Sequence, residues 1–177
     1  MSLTKVMVFI DGSNIHWGLK DFRQRNYTED GIDYKKLINY LVNGRSLIRA
    51  IYYCSKPVPP GDGSQIRFVD YLRHIGIQVV EKPLKIRSDP MTGKPRTVEK
   101  GVDVALAVDL IGMAWEDAYD IAVLVSGDSD CVGAVTKVMA KGRNVEVASF
   151  RKFLSKELKK ACLKVIILDD VWHQIKT

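Results

Sequence analysis

The stretch VFIDGSN, residues 8–14, ends an apolar run at a carboxylate. Residues 6–10 are all apolar, which is typical of a strand covered on both faces and is too short for a membrane span. Asp11 stands where this strand should leave the sheet, and Gly12, Ser13 and Asn14 are common in turns and at helix N-termini. The stretch therefore predicts a buried strand that turns at Asp11, which serves either as a turn or cap residue or as part of a binding site.

The composition is that of a globular protein. Of the 177 residues, 46% are hydrophobic and 27% are charged, and we expect one domain over residues 1–177. We expect no membrane partner, because no apolar stretch is long enough to cross a bilayer and the N-terminus lacks the pattern of a signal peptide. The net charge of +6 is compatible with a polyanionic partner.

The three cysteines predict a reducing environment. Cys54, Cys131 and Cys162 are odd in number and widely spaced, so they match neither a disulfide framework nor a zinc-binding pattern. Because thiols persist in reducing compartments, we expect a cytoplasmic location.

Segments with the hydrophobic pattern of a strand alternate with segments that have helical spacing. Strands are predicted at 5–10, 47–53, 77–80, 121–125, 144–149 and 164–168. Helices are predicted at 14–24, from Asp33 through Leu41, and from the end of the loop at 56–64 to about His74. Further helices are predicted at 101–116, 130–140 and 153–160, and at the C-terminus. Residues 56–64 are predicted to be a loop. Residues 81–99 are predicted to be an irregular segment or a small hairpin, because the stretch SDPMTGKP within them has two prolines and a glycine.

This alternation defines the expected fold class. Parallel strands joined by right-handed helical crossovers form an α/β protein with a doubly wound, mostly parallel sheet in three layers. Ligands of such sheets bind outside the carboxyl ends of the strands, at the point where the strand order reverses.

Four acids are predicted to meet at that edge. Asp11 ends the first strand, Asp128 and Asp130 follow the strand 121–125, and Asp103 lies in the first turn of the helix before that strand. Each can instead be an ordinary helix-capping or helix-dipole residue. Two carboxylates ~4 Å apart repel by roughly 4 kcal/mol at an effective dielectric of 20, so a cluster favours a bound cation. All-oxygen ligands without a Cys/His set favour Mg²⁺ or Mn²⁺ over zinc.

The helix over 101–116 is apolar on nearly all sides, which predicts that it is buried. Asp103 and Asp109 both interrupt this surface, but their six-residue separation places them about 120° apart around the helix. They cannot both face one site. We therefore expect Asp109 to be a buried carboxylate paired with a Lys, an Arg or a hydroxyl.

Three segments resemble a known family. FIDGSN, KGVDVALAVD and VLVSGDSD are similar, in the same order, to the signature blocks of NYN domains, the LabA-like branch of the PIN-like nucleases, over roughly residues 6–150. The resemblance implies a PIN-like sheet and a divalent-metal-dependent ribonuclease. It implies that the metal-binding acids are Asp11, Asp103, Asp128 and Asp130, supported by Asn14 and Ser126.

The expected chemistry is metal-assisted hydrolysis of RNA. A dication held by these acids would activate water for in-line attack at phosphorus. Asn14 can hold a phosphate oxygen or the attacking water, and Lys100 can offset phosphate charge or be a solvated loop residue. The basic segment 82–100, which includes Lys85 and Arg87, can follow a phosphate backbone. The basic segment 151–160 is ambiguous.

Three aromatic residues are candidates for base stacking, namely Trp17, Phe22 and Tyr27. Helical spacing favours a core position for Trp17 and Phe22.

Two alternatives remain open from the sequence. A haloacid-dehalogenase-like phosphatase also places an Asp after its first strand, but it needs a second carboxylate two residues later, where this chain has Ser13. The other alternative is a non-catalytic RNA-binding or adaptor module of the same fold, in which the acids hold a structural ion. The oligomeric state is open as well.

Overall fold

The computed structural model describes residues 3–56, 63–88, 91, 93, 95–98 and 101–177, without the side chains of 85–88 and 95–98. Strands and helices alternate along this part of the chain as predicted. The strands are β1 (Lys5–Asp11), β2 (Ser46–Lys56), β3 (Gln78–Pro83), β4 (Lys85–Ser88), β5 (Pro95–Val98), β6 (Ile121–Val125), β7 (Asn144–Ser149) and β8 (Lys164–Ile167). The helices are α1 (Gly12–Asn26), α2 (Tyr34–Val42), α3 (Ser64–His74), α4 (Val102–Trp115), α5 (Val132–Ala140), α6 (Lys156–Ala161) and α7 (Trp172–Ile175).

Six strands form one parallel sheet in the order β3-β2-β1-β6-β7-β8, which confirms the doubly wound α/β prediction. The order reverses between β1 and β6, whose registers pair Ile10 with Val125. This boundary is the switch point, where ligands of such sheets bind. The strands β4 and β5 form a separate antiparallel ribbon, so the segment 81–99 contains the hairpin that was one of its two predicted forms.

The alternating sides of β1 build two cores. Val6, Val8 and Ile10 pack into a cluster with residues of α1, α2, α3 and α7. Met7 and Phe9 face the opposite side and pack with residues of α4, α5 and α6. Because successive side chains of a strand point to opposite faces, an unbroken apolar run is what a sheet between two helical layers requires.

Two of the predicted helices begin with a separate 3-10 turn. The segment predicted as helix 130–140 starts with a 3-10 turn over Ser129–Cys131 before α5 begins. The segment predicted as helix 153–160 is divided into a 3-10 turn over Arg151–Phe153 and the short helix α6. The division arises because Ser155 caps α6, accepting a hydrogen bond from the Leu158 N–H at 3.2 Å. The loop predicted at 56–64 lies mostly outside the described residues.

The prediction that the helix over 101–116 is buried was wrong for one of its faces. Leu106 and Leu110 of α4 face the core, but Val104 and Val108 are 65% and 61% exposed. An outer helix of a three-layer fold can turn only one stripe toward the sheet. The apolar residues on its other side are therefore left at the surface of this chain.

A largely buried ion pair ties α2 to the sheet on the other side of the molecule. The two terminal NH₂ groups of the Arg45 guanidinium donate to the Glu146 carboxylate, at 2.8 and 3.0 Å. Arg45 also donates to the carbonyls of Leu41 and Val42 at the end of α2. Glu146 lies on β7 and is 5% exposed, so its charge depends on this guanidinium for compensation.

Candidate metal centre at the sheet edge

Asp11 occupies the C-terminal end of β1 and is also the N-cap of α1. The turn is tight because a Cβ on Gly12 would lie 2.6 Å from the Tyr53 carbonyl oxygen, so a side chain there cannot fit without movement of the backbone. Asp11 is 4% exposed. Its Oδ1 accepts from the Asn14 N–H at 3.0 Å, and its Oδ2 accepts from the Ser126 hydroxyl at 2.9 Å.

The loop after β6 joins this network. The Ser126 hydroxyl accepts from the Asp128 N–H at 3.2 Å, and the Gly127 N–H donates to Asn14 Oδ1 at 3.0 Å. A Cβ at Gly127 would lie 2.0 Å from the Phe153 carbonyl oxygen, so the chain passes here only as glycine. The ends of β1 and β6 are thus linked through hydrogen bonds at the switch point.

These elements surround a pocket of about 220 Å³. Three of the four predicted acids line it, and Asn14 lies beside them. The lining residues are Asp11, Ser13, Asn14, Trp17, Asp103, Asp128 and Phe153. Asp130 is exposed and is not part of this lining; its N–H donates to Asp128 Oδ1 at 3.0 Å.

The buried Cys131 thiol is affected by the charges of all three acids that line the pocket. Burial, followed by the charges of the neighbouring carboxylates of Asp11, Asp128 and Asp103, together raise the pKa of the Cys131 thiol to about 12. A group that feels all three charges lies close to all of them. The three acids, from distant parts of the sequence, therefore share one electrostatic environment.

The capping roles are real and are compatible with ion binding. Asp11 caps α1, and Asp128 caps the turn before α5, as the simpler interpretation of each residue predicted. A carboxylate offers about four lone-pair positions, so a capping hydrogen bond does not exhaust it. The N-termini of α1 and α4 and of the turn before α5 add partial positive charge, which favours both carboxylates and phosphate groups at this edge.

The donor set fits a hard dication in its chemistry. The pocket offers carboxylate and amide oxygens, which suit Mg²⁺ or Mn²⁺. Among the described residues, no group of three or more His, Cys, Asp or Glu side chains has the spacing of a metal site. Mg²⁺ keeps several of its waters and is typically held by one or two carboxylates together with substrate phosphates.

The other site residues predicted from the sequence are not among the described residues that line the pocket. Ser126 is 1% exposed, and its hydroxyl donates a hydrogen bond to the Asp11 carboxylate. Lys100 lies outside the described residues, and Lys85 and Arg87 lie on β4, where the side chains are not described. Asp109 accepts a hydrogen bond from the Tyr53 hydroxyl at 2.9 Å, so its predicted hydroxyl partner is confirmed. It is half-buried rather than buried.

The segment 151–160 is partly neutralised where it passes the site. Lys152 pairs with Asp21 at 2.5 Å, and Arg151 pairs with Asp170. Lys156, Lys159 and Lys160 are exposed on or beside the short helix α6. The cations of this segment are thus divided between ion pairs and open surface.

Three residues of the lining were not among the predicted site residues, namely Ser13, Trp17 and Phe153. Phe22 is buried, as its spacing predicted, but Trp17 is 52% exposed, so the core position expected for it was wrong. Helical spacing cannot separate these two residues, because the outcome depends on which neighbours cover each side chain. Phe153 reaches the pocket because the chain after β7 folds back over Gly127, which no local pattern indicates.

Replacing Ser126 with alanine should lower stability. The substitution removes a hydrogen bond to the buried Asp11 carboxylate and the acceptor of the Asp128 N–H. We expect the free energy of unfolding to fall by about 2 kcal/mol, as for loss of a hydrogen bond to a charged group. Urea unfolding followed by circular dichroism measures this. Ser129→Ala, at an exposed neighbouring position, is the matched control, and equal stability of the two variants would contradict the structural role of Ser126.

A parallel sheet with an acid-lined pocket at its switch point is the α/β arrangement that the resemblance to PIN-like domains implies. The NYN domain family matches residues 5–169, and the chain belongs to that family. The resemblance of FIDGSN, KGVDVALAVD and VLVSGDSD to NYN domains is thereby confirmed, and with it membership of the PIN-like nuclease superfamily.

Two individual proteins are similar over nearly the whole chain. The low amplitude and bright protein LabA of Synechococcus elongatus is 28% identical over 170 residues, which cover 95% of this chain and 86% of that protein. A solved structure of a Vibrio parahaemolyticus protein of unknown function, VPA0982, superposes with a TM-score of 0.78 at 21% identity. It covers 99% of this chain and 97% of the other, and it shows the same fold. Within the described residues, no helix combines the length and apolar character needed to cross a bilayer.

Proposed function

We propose that this chain is a divalent-metal-dependent ribonuclease that hydrolyses phosphodiester bonds of RNA. One observation carries the proposal: Asp11, Asp103, Asp128 and Asn14 line a single pocket at the switch point of the sheet. Membership of a nuclease superfamily whose members generally use divalent metals supports it. The net charge of +6 suits a polyanionic substrate.

Asp11, Asp103 and Asp128 are the residues that would hold Mg²⁺ or Mn²⁺, and Asp130, which does not line the pocket, stays a predicted ligand. When bound, such an ion supplies charge neutralisation at the phosphoryl oxygens and an activated water. The two hydrogen bonds to Asp11 hold its carboxylate in place before an ion or substrate binds.

Asn14 provides the orienting group for substrate. Its Oδ1 accepts from the Gly127 N–H, so the amide NH₂ is the part of this side chain that can donate to a phosphate oxygen. The helix N-termini around the pocket also favour the phosphate. Lys100, Lys85 and Arg87 remain predicted RNA contacts along the strand.

The proposal also covers the domain organisation, the cellular location and the macromolecular partner of the protein. The two cores on one continuous sheet support a single domain over residues 1–177. The three cysteines, all in the described part of the chain, form no disulfide with one another, which supports a cytoplasmic location. RNA is the proposed macromolecular partner.

The alternatives are judged by the same site. The phosphatase interpretation loses its basis for two reasons. The chain belongs to the NYN family, and the position that would need the second carboxylate is occupied by Ser13. The non-catalytic RNA-binding module differs from the nuclease in one measurable respect, since it binds RNA without cutting it.

Metal removal tests the proposal. We expect end-labelled RNA to be cleaved with Mn²⁺ or Mg²⁺, and cleavage to stop when a chelator is added. DNA of the same sequence, incubated in parallel, tests the preference for RNA. Asp128→Asn should lose the activity, because it removes a ligand charge from the pocket. Cleavage that persists in chelator and in Asp128→Asn would show a contaminant or a different site, whereas RNA binding without cleavage would favour the adaptor module.

A further inference from the structure

A second, larger pocket lies beside the acid-lined one. It has a volume of about 660 Å³, within the range of roughly 300–1,000 Å³ that is usual for small-molecule sites. Ser13 and Trp17 line both pockets, so the two are adjacent. A nucleotide with its phosphate among the acids has this pocket within reach of its base.

The walls of the larger pocket suit a flat aromatic ring. Tyr52 and Phe68 pack edge to face, with ring centroids 5.6 Å apart, and Trp17 lies at the border with the acid pocket. Polar groups occur among the apolar ones: His16 and Gln65 are part of the lining. The Gln65 amide is held by donation to the Ser55 carbonyl at 2.5 Å. Apolar walls with a few anchored polar groups are typical of sites that recognise a base.

Trp17 is placed for stacking. Its side chain is 52% exposed, and the Lys20 ammonium lies 4.8 Å from the centroid of its ring. An indole that borders a phosphate-sized acidic pocket and carries a cation beside it offers a base a stacking surface and the backbone a counter-charge.

We propose that this pocket, defined by Trp17, Tyr52 and Phe68, receives the unstacked base of a nucleotide next to the scissile phosphate. The inference rests on the proposed function only in placing that phosphate at the acids. A base inside a duplex must first be unpaired and unstacked before it can enter such a pocket, which costs free energy. A single strand should therefore bind more tightly than a duplex of the same sequence.

The test measures binding of a fluorescently labelled single-stranded RNA at fixed salt, with Ca²⁺ in place of Mg²⁺ or Mn²⁺ so that the charge of the acids is offset, and gel electrophoresis checks that the strand stays intact. Trp17→Ala should weaken binding about 5- to 150-fold, the range for loss of one stacked base. Trp115→Ala is the matched control, because Trp115 is 50% exposed and has Lys141 5.9 Å from its ring but lies outside both pockets. Its affinity should equal that of the wild type, and circular dichroism checks that both variants are folded.

An abasic nucleotide, moved along the strand, tests the same contact without changing the protein. At one position the abasic strand should bind the wild type as weakly as the intact strand binds Trp17→Ala, and combining the two changes should cost nothing further. That result supports the inference whether or not the RNA is cut. Failure of the wild type to bind the single strand, equal binding of a duplex, or no position coupled to Trp17 would overturn it, and metal-dependent cleavage would then leave the proposed function standing alone.

Discussion

Asp11→Asn should reduce metal-dependent RNA cleavage at least about 100-fold while the protein stays folded. Asparagine has the shape of aspartate, and its Oδ1 can still accept from the Asn14 N–H. Its NH₂ group can donate to the Ser126 hydroxyl in place of the present bond. What is lost is the negative charge at the centre of the pocket, on which ion binding depends. Initial rates on end-labelled RNA across a range of Mn²⁺ concentrations measure the effect.

Asp33→Asn is the control for Asp11→Asn. Asp33 also caps a helix, accepting from the N–H groups of Lys35 and Lys36, but it does not line the acid pocket. If Asp11 acted only as a cap, both variants would lose a little stability and keep their activity. Full cleavage by a folded Asp11→Asn protein would remove this residue from the proposed metal centre.

Glu146→Ala should lower the free energy of unfolding by about 3 kcal/mol. The substitution leaves the Arg45 guanidinium without its bidentate partner in a site where both side chains are largely covered, 18% and 7% exposed. The uncompensated charge must then be solvated by opening the packing between α2 and β7. Urea unfolding at pH 7, with the slope of the transition compared between variants, measures the loss.

An exposed ion pair gives the contrast for this prediction. Asp70 lies 3.5 Å from Arg73 on the surface of α3, and both side chains are about half exposed or more. Asp70→Ala should change stability by less than about 0.5 kcal/mol. Equal effects of the two substitutions would show that burial of the Arg45–Glu146 pair contributes nothing. Cleavage should be unaffected by either change in folded protein, since neither residue lines the acid pocket.

Most of the fold was predictable because its signals are local. The strands predicted at 121–125 and 144–149 have the bounds of β6 and β7, and Asp33 caps α2 as expected. Each of these features depends on residues close together in the chain. The 3-10 turn over Arg151–Phe153 was missed because the serine cap that starts α6 lies inside a segment with continuous helical composition.

The candidate site was predictable in outline for a different reason. A parallel sheet brings the ends of all its strands, and the starts of the following helices, to one edge. The positions of Asp11, Asp103 and Asp128 along the chain were therefore enough to expect them together. The same rule predicts that Asp130 lies at this edge. Asp130 is two residues further along the turn that Asp128 caps, however, and the Asp130 side chain is not part of the pocket lining.

The amino-acid sequence by itself determined the alternation of strands and helices, the two-sided burial of the sheet and the common edge on which the acids lie. All three follow from hydrophobic periodicity and chain connectivity. Only the tertiary structure decided that Trp17 borders a pocket while Phe22 is buried, and that one apolar stripe of α4 is exposed. Coverage of a side chain depends on neighbours that are distant in sequence, and the periodicity of a single helix carries no information about them.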